Sequence, residues 1–223
     1  MRFFHCVLAE CALVAPRFAR TRLGIGLLTL GVVLVWLCAR GLDSLTTVLL
    51  AGSLGAILGA AGVAGSDNER RALTIALSHP TIPLAIATGR WIALVAPAAV
   101  LVVAVTAAVA WTPEFALAGI LAAAAVGSCA LALVLPLGHG AALGLFLLMA
   151  LAGSIAPERL VALAHPGLVQ LVAASALELG PALWHYRDIA TGAWGAVAHS
   201  LAWSGLGILL ASAVIARRRV LHS

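Results

Sequence analysis

Long apolar runs separated by short polar interruptions set the pattern of this chain. Six runs are long enough, or nearly so, to cross a hydrocarbon core of ~30 Å, which takes roughly 20 helical residues. They are Leu23–Ala39, Ser44–Gly65, Trp91–Trp111, Phe115–Leu137, Ala141–Ile155 and Ala193–Ala216. Only helices and closed barrels satisfy their own backbone in lipid. Runs of this length therefore predict an all-α integral membrane protein with six transmembrane helices in a single domain over residues 1–223. Ahead of the first run, Phe3, Phe4, Val7, Leu8, Leu13 and Val14 recur at helical spacing, followed by Arg17, Arg20 and Arg22. This predicts an amphipathic helix over 1–22, lying at the interface with its arginines near headgroups; a partly buried elbow with no lipid role is the equal alternative. The stretch Leu160–Leu183 is apolar but interrupted by His165-Pro166-Gly167, Gln170, Glu178 and Gly180-Pro181. It reads as part of an external or re-entrant segment over 156–190, made of short helices, rather than as a seventh span.

Composition strengthens this picture. The chain is 63% hydrophobic and 9% charged, with a mean hydropathy of +1.13, whereas soluble domains carry about 25% charge. The thirteen basic residues are all arginine and the formal net charge is +5. Their distribution argues membrane topology rather than nucleic acid. With the N-terminus in the cytoplasm, Arg2, Arg17, Arg20, Arg22, Arg70, Arg71, Arg90, Arg217, Arg218 and Arg219 fall inside, and Arg40, Arg159 and Arg187 fall outside. The positive-inside rule favours that orientation, a multi-pass protein of the cell (inner) membrane with both termini cytoplasmic. Trp91 and Trp111 bracket the third run, 20 residues or ~30 Å apart, as interfacial anchors do; Trp36, Trp184, Tyr186 and Trp194 suit the outer interface. Cys6, Cys11, Cys38 and Cys129 show neither C-x-x-C spacing nor a disulfide pattern. No cleavable signal is read at the N-terminus, and Leu23–Ala39 is expected to act as an uncleaved anchor.

Inside the runs, Gly52, Gly55, Gly59 and Gly62 share one helical face and include a G-x-x-x-G. Such a stripe lets backbones approach closely, either for packing within the chain or as a dimer seam. Few polar residues face the bundle. Ser53, Thr106, Ser128, His199 and Trp203 are the candidates for lining a substrate path, with core packing the plainer role for Trp203. His199 is the one ionisable residue expected at mid-membrane, which argues against a proton-driven pump. Of the seven histidines, His185 and His199 are the one conceivable metal or haem pair; isolated interfacial histidines are the plainer reading, and no metal is assigned. With no lysine there is no P-loop, and no H-E-x-x-H or G-x-S-x-G occurs either. No catalytic residue is assigned.

The segment Ser66-Asp67-Asn68-Glu69-Arg70-Arg71 gathers two acids and two bases between the second and third runs. Asp67 or Asn68 can cap a helix that holds Glu69 in its first turn. Ala72, Leu73, Ala76 and Leu77 line one apolar face, and Pro80 stops it. The pattern predicts a cytoplasmic coupling loop over 66–83 whose helix docks into a groove on a soluble partner; a lipid-surface connector is the plainer reading.

On these residues the chain resembles the permease subunits of ABC-2 type ABC transporters. Glu69, Arg70, Leu73, Leu77, Pro80 and Arg90 match that family's loop between spans two and three, while Arg71-Ala72 replaces its usual Gly-Thr. The layout of interface helix, six spans, broken outer segment and basic C-terminus agrees as well. A nearer similarity to the haem-exporter B permeases is looser: Ile75-Ala76-Leu77-Ser78-His79-Pro80 only approximates their loop. The resemblance implies an ABC-2 (type V exporter-like) permease fold. In it, Asp67, Glu69, Arg70, Leu73, Leu77 and Pro80 couple to a separate cytoplasmic ABC ATPase subunit. ATP and Mg would sit on that partner, this chain binding no cofactor itself, and a second permease copy or homologue would complete the transporter. It implies export of a hydrophobic or amphipathic substrate, with no nucleic-acid partner. The competing expectation is a non-transport scaffold or assembly factor that docks a soluble protein through the same loop; an intramembrane enzyme is the third and weakest.

Overall fold

A computed structural model describes residues 2–19, 22–65, 82–152, 183–187 and 189–220. Among the described residues the chain is all-helical, with no strand. Its helices are α1 (Arg2–Ala19), α2 (Arg22–Ala39), α3 (Ser44–Ala60, continuing into a π turn over Ala61–Gly65), α4 (Pro83–Val109), α5 (Pro113–Leu137), α6 (His139–Ala152) and α7 (Ile189–Val220). A short 3-10 turn, Leu183–Tyr186, precedes α7.

Among the described residues, four stretches are long and apolar enough to cross a membrane: Ser44–Gly65, Pro83–Val109, Pro113–Leu137 and Trp194–Arg217. The runs expected as spans one and five are present as shorter apolar helices, Gly24–Ala39 and His139–Ala150. Leu28, Val32, Val100, Leu148, Leu201 and Leu209 turn outward and are exposed. An apolar exterior of this extent suits lipid rather than water.

Helix α3 is the axis of the molecule, buried along almost its whole length. Small residues make that arrangement reachable. A Cβ on Gly52 would run into the carbonyl oxygen of Gly119 on α5, and one on Gly59 would come within 2.9 Å of the Leu94 carbonyl oxygen on α4. Gly55 faces Leu101 and Ala98 of α4. Three glycines of the predicted stripe thus sit in seams between helices of one chain, and Gly62 lies buried in the π turn. Dispersion contacts between close backbones hold helices together where lipid offers no hydrophobic drive. Around this α3–α4–α5 core, α7 packs on α5 and α4, α2 on α3 and α4, and α6 on α3 and α5, while α1 lies against α4.

The connections follow from local chemistry. Asp43 caps α3, its Oδ2 accepting from the Thr46 amide (2.9 Å) and hydroxyl (3.1 Å). Proline at the first position of α4 and α5 suits helix starts, where the missing N–H has no partner to lose. Between α5 and α6 stands one residue, Gly138, at φ +77, a conformation that glycine adopts without strain.

The third run, read from Trp91, extends at its start to Pro83, so Leu84–Arg90 forms the first two turns of α4. Trp91, half-buried, also ties two helices together: its Nε1 donates to the Ala124 carbonyl of α5 at 3.1 Å.

Candidate functional site

The two helices that root the 66–81 segment, α3 and α4, meet at one end of the bundle in a dense polar cluster. The last turn of α3, Ala61–Gly65, is wholly buried. A helix end leaves carbonyls without intrahelical partners, and a buried orphan carbonyl is costly. Two side chains from other helices meet that need. Arg90 of α4 donates through Nη1 to the Val63 carbonyl at 2.9 Å. His139 of α6 donates through Nδ1 to the Gly65 carbonyl at 2.6 Å; a carbonyl can only accept, so Nδ1 carries the proton. A cation near the C-terminus of α3 also meets the negative end of its dipole.

Arg90 has a second partner. Its Nε donates to Glu10 Oε1 of α1 at 2.8 Å, with side-chain exposures of 2% and 9%. The positive-inside count places Arg90 among the cytoplasmic charges. The fold buries it against Glu10, two turns inside α4. Gly89 permits the approach: a Cβ there would lie 2.8 Å from that of Glu10. Next to it, the Cys11 thiol donates to the Gly89 carbonyl at 3.1 Å; burial, then the adjacent Glu10 charge, push that thiol above its ordinary pKa. The elbow reading of α1 therefore describes its Glu10 face better than a wholly interfacial helix does, although Phe4, Leu8 and Leu13 remain exposed.

At the opposite end, Tyr186 is fully buried and its hydroxyl lies 3.0 Å from His199 Nδ1. His185 and His199 stack with ring centroids 4.3 Å apart, and Trp203 lies 6.3 Å from His199. Burial raises the Tyr186 phenol above its usual range. Arg187 Nη2 donates to Thr46 Oγ1 at 3.0 Å, joining the 3-10 turn to the cap of α3. His185 and His199, read on sequence more plainly as isolated interfacial histidines, thus come together, but among the described residues no group of three or more His, Cys, Asp or Glu is disposed to hold a metal ion.

The remaining candidate path residues lie apart from this cluster or engage backbone. Ser53 and Thr106 donate to carbonyls one turn back on their own helices, Leu49 (2.9 Å) and Val102 (2.8 Å). Ser128 lies 2.8 Å from the Ala125 carbonyl and 3.0 Å from the Trp203 carbonyl, tying α5 to α7. The coupling residues Asp67, Glu69, Arg70, Leu73, Leu77 and Pro80, and most of the 156–190 segment, lie outside the described residues. The Glu10–Arg90 pair escaped the sequence reading because its members stand 80 positions apart. The available signal was a glutamate on the apolar side of a helix otherwise charged only near its ends.

No protein-family model, curated protein or solved structure matches the chain.

Proposed function

We propose that this chain is the membrane-spanning subunit of an ATP-driven exporter of the ABC-2 permease type. In this reading six spans cross the inner membrane with both termini in the cytoplasm, α2 and α6 supplying the two shorter spans. A separate ATPase binds the 66–80 segment, and a second permease copy completes the assembly. The observation that carries the reading is the sequence of that segment: capped, amphipathic, proline-stopped and set between two spans on the arginine-rich side. A chain without a P-loop must receive its energy through a contact, and this segment is suited to making one. Support comes also from its roots. Both flanking helices belong to the packed α3–α4–α5 core, so displacement of the segment would be felt by the bundle, as a two-state transporter requires.

The substrate is hydrophobic or amphipathic, in keeping with the scarcity of charge inside the bundle. The hydroxyls of Ser53, Thr106 and Ser128 give the scaffold reading its support, since all three are buried with their protons donated to backbone carbonyls. Purification with an ATPase, followed by transport assays in proteoliposomes, separates the two. Leu73→Asp and Glu69→Ala are expected to abolish ATPase-coupled transport while the permease remains folded and membrane-inserted. Unimpaired transport in both variants would overturn the exporter reading, and stable binding of a soluble protein without ATP-dependent cycling would favour the scaffold.

A further inference from the structure

The cluster at the loop end holds more than a structural salt bridge needs. One guanidinium, on α4, grips α1 through Glu10 and the last turn of α3 through Val63. Each contact is made in a dry environment, where a charge-assisted hydrogen bond is strong and an orphaned partner costly. The turn it holds is a π turn, a geometry rare in helices and frequent at functional sites. Gly89 brings α1 against α4 closely enough for the grip, and His139 fixes the carbonyl at the far end of the same turn.

We propose that Glu10, Arg90 and the π turn Ala61–Gly65 form a latch through which the position of the N-terminal helix controls the order of the last turn of α3. Glu10 and Arg90 are its positioning residues. Withdrawal of α1 takes the carboxylate from Arg90; the guanidinium then loses the geometry that holds Val63, and the turn loosens. The latch stands apart from the exporter reading and can be tested without any partner.

The test uses the full-length protein in detergent micelles with Cys6, Cys38 and Cys129 replaced by Ala, so that Cys11 is the one thiol left to report on α1. Two readouts are followed together: alkylation of Cys11 by a maleimide, and amide exchange at Ala61–Gly65. In the double variant Glu10→Leu/Arg90→Met, which keeps an apolar fill where the pair stood, both are expected to rise by about tenfold or more. Exchange over Thr46–Leu54, at the other end of α3, stays unchanged. Gly89→Ala is the second variant; it retains both charges and wedges α1 away, and should raise the same two signals together by a smaller factor. A rise in Cys11 reactivity with Ala61–Gly65 unmoved, in either variant, overturns the proposal: α1 would then be merely packed. So would no change in both. Paired signals alongside normal transport in Leu73→Asp and Glu69→Ala keep the latch and remove the exporter reading. An ATPase-coupled transporter whose signals are unpaired keeps that reading and removes the latch.

Discussion

Single residues set how closely the helices approach and which charges can be buried. Arg90 and Glu10 are each other's partners in a site with almost no water. Arg90→Ala should destabilise the fold by about 3–5 kcal/mol, because it strands a carboxylate and the Val63 carbonyl together. The paired apolar replacement should cost far less, since no buried charge is left over. Denaturation of the two variants in the same micelle gives the comparison, and equal losses would mean that the pair contributes little beyond its volume. Gly52→Ala forces a methyl into the Gly119 carbonyl and should cost about 1–3 kcal/mol, the usual range for overpacking. Gly26→Ala, which meets nothing within 4 Å inside α2, should cost nothing and can raise stability by up to about 1 kcal/mol. Thermal melts of these two test whether the glycine stripe serves seams inside one chain. The stripe itself was readable from spacing; its neighbours were not, because spacing reports a face and says nothing of what covers it.

At the level of elements, helix ends decide the outcome more than helix interiors. The start of α3 is capped by Asp43, and Arg187 reaches the same cap through Thr46. Asp43→Ala should lower stability by about 1 kcal/mol and Asp43→Asn by much less, since an amide oxygen still accepts from the Thr46 amide. A shift in melting temperature of equal size for both would show that charge, not capping, is what matters. The end of α3 has no cap of its own kind and relies on Arg90 and His139 from other helices. The start of α4 illustrates what patterning misses. Apolar content drops around Arg90, so a span is read as beginning at Trp91. A buried arginine with two partners is as compatible with the helix interior as an apolar residue, and Pro83, ideal at a first helical position, marks the true start.

At the scale of the molecule, the arrangement is a small-residue core, α3–α4–α5, with α1, α2, α6 and α7 disposed around it. Among the described residues two polar clusters sit at opposite ends: Glu10, Arg90 and Val63 near the end of α3, and Tyr186, His199 and Arg187 near its start. Under the exporter reading these ends face cytoplasm and exterior. Reporter fusions at both termini are therefore expected to be active only on the cytoplasmic side; an external reporter at either terminus would require a different span count. Run lengths and arginine distribution settle, from the sequence alone, that the chain is helical and apolar enough for a membrane, because hydrocarbon thickness and backbone satisfaction leave little choice. The same one-dimensional signals also mark the 66–80 segment as the natural docking candidate. Which helix is central, where the glycines press, and that Glu10 meets Arg90 were decided only by the tertiary structure. Those facts depend on contacts between positions as far as 80 residues apart, made favourable by the absence of water at the point where they meet.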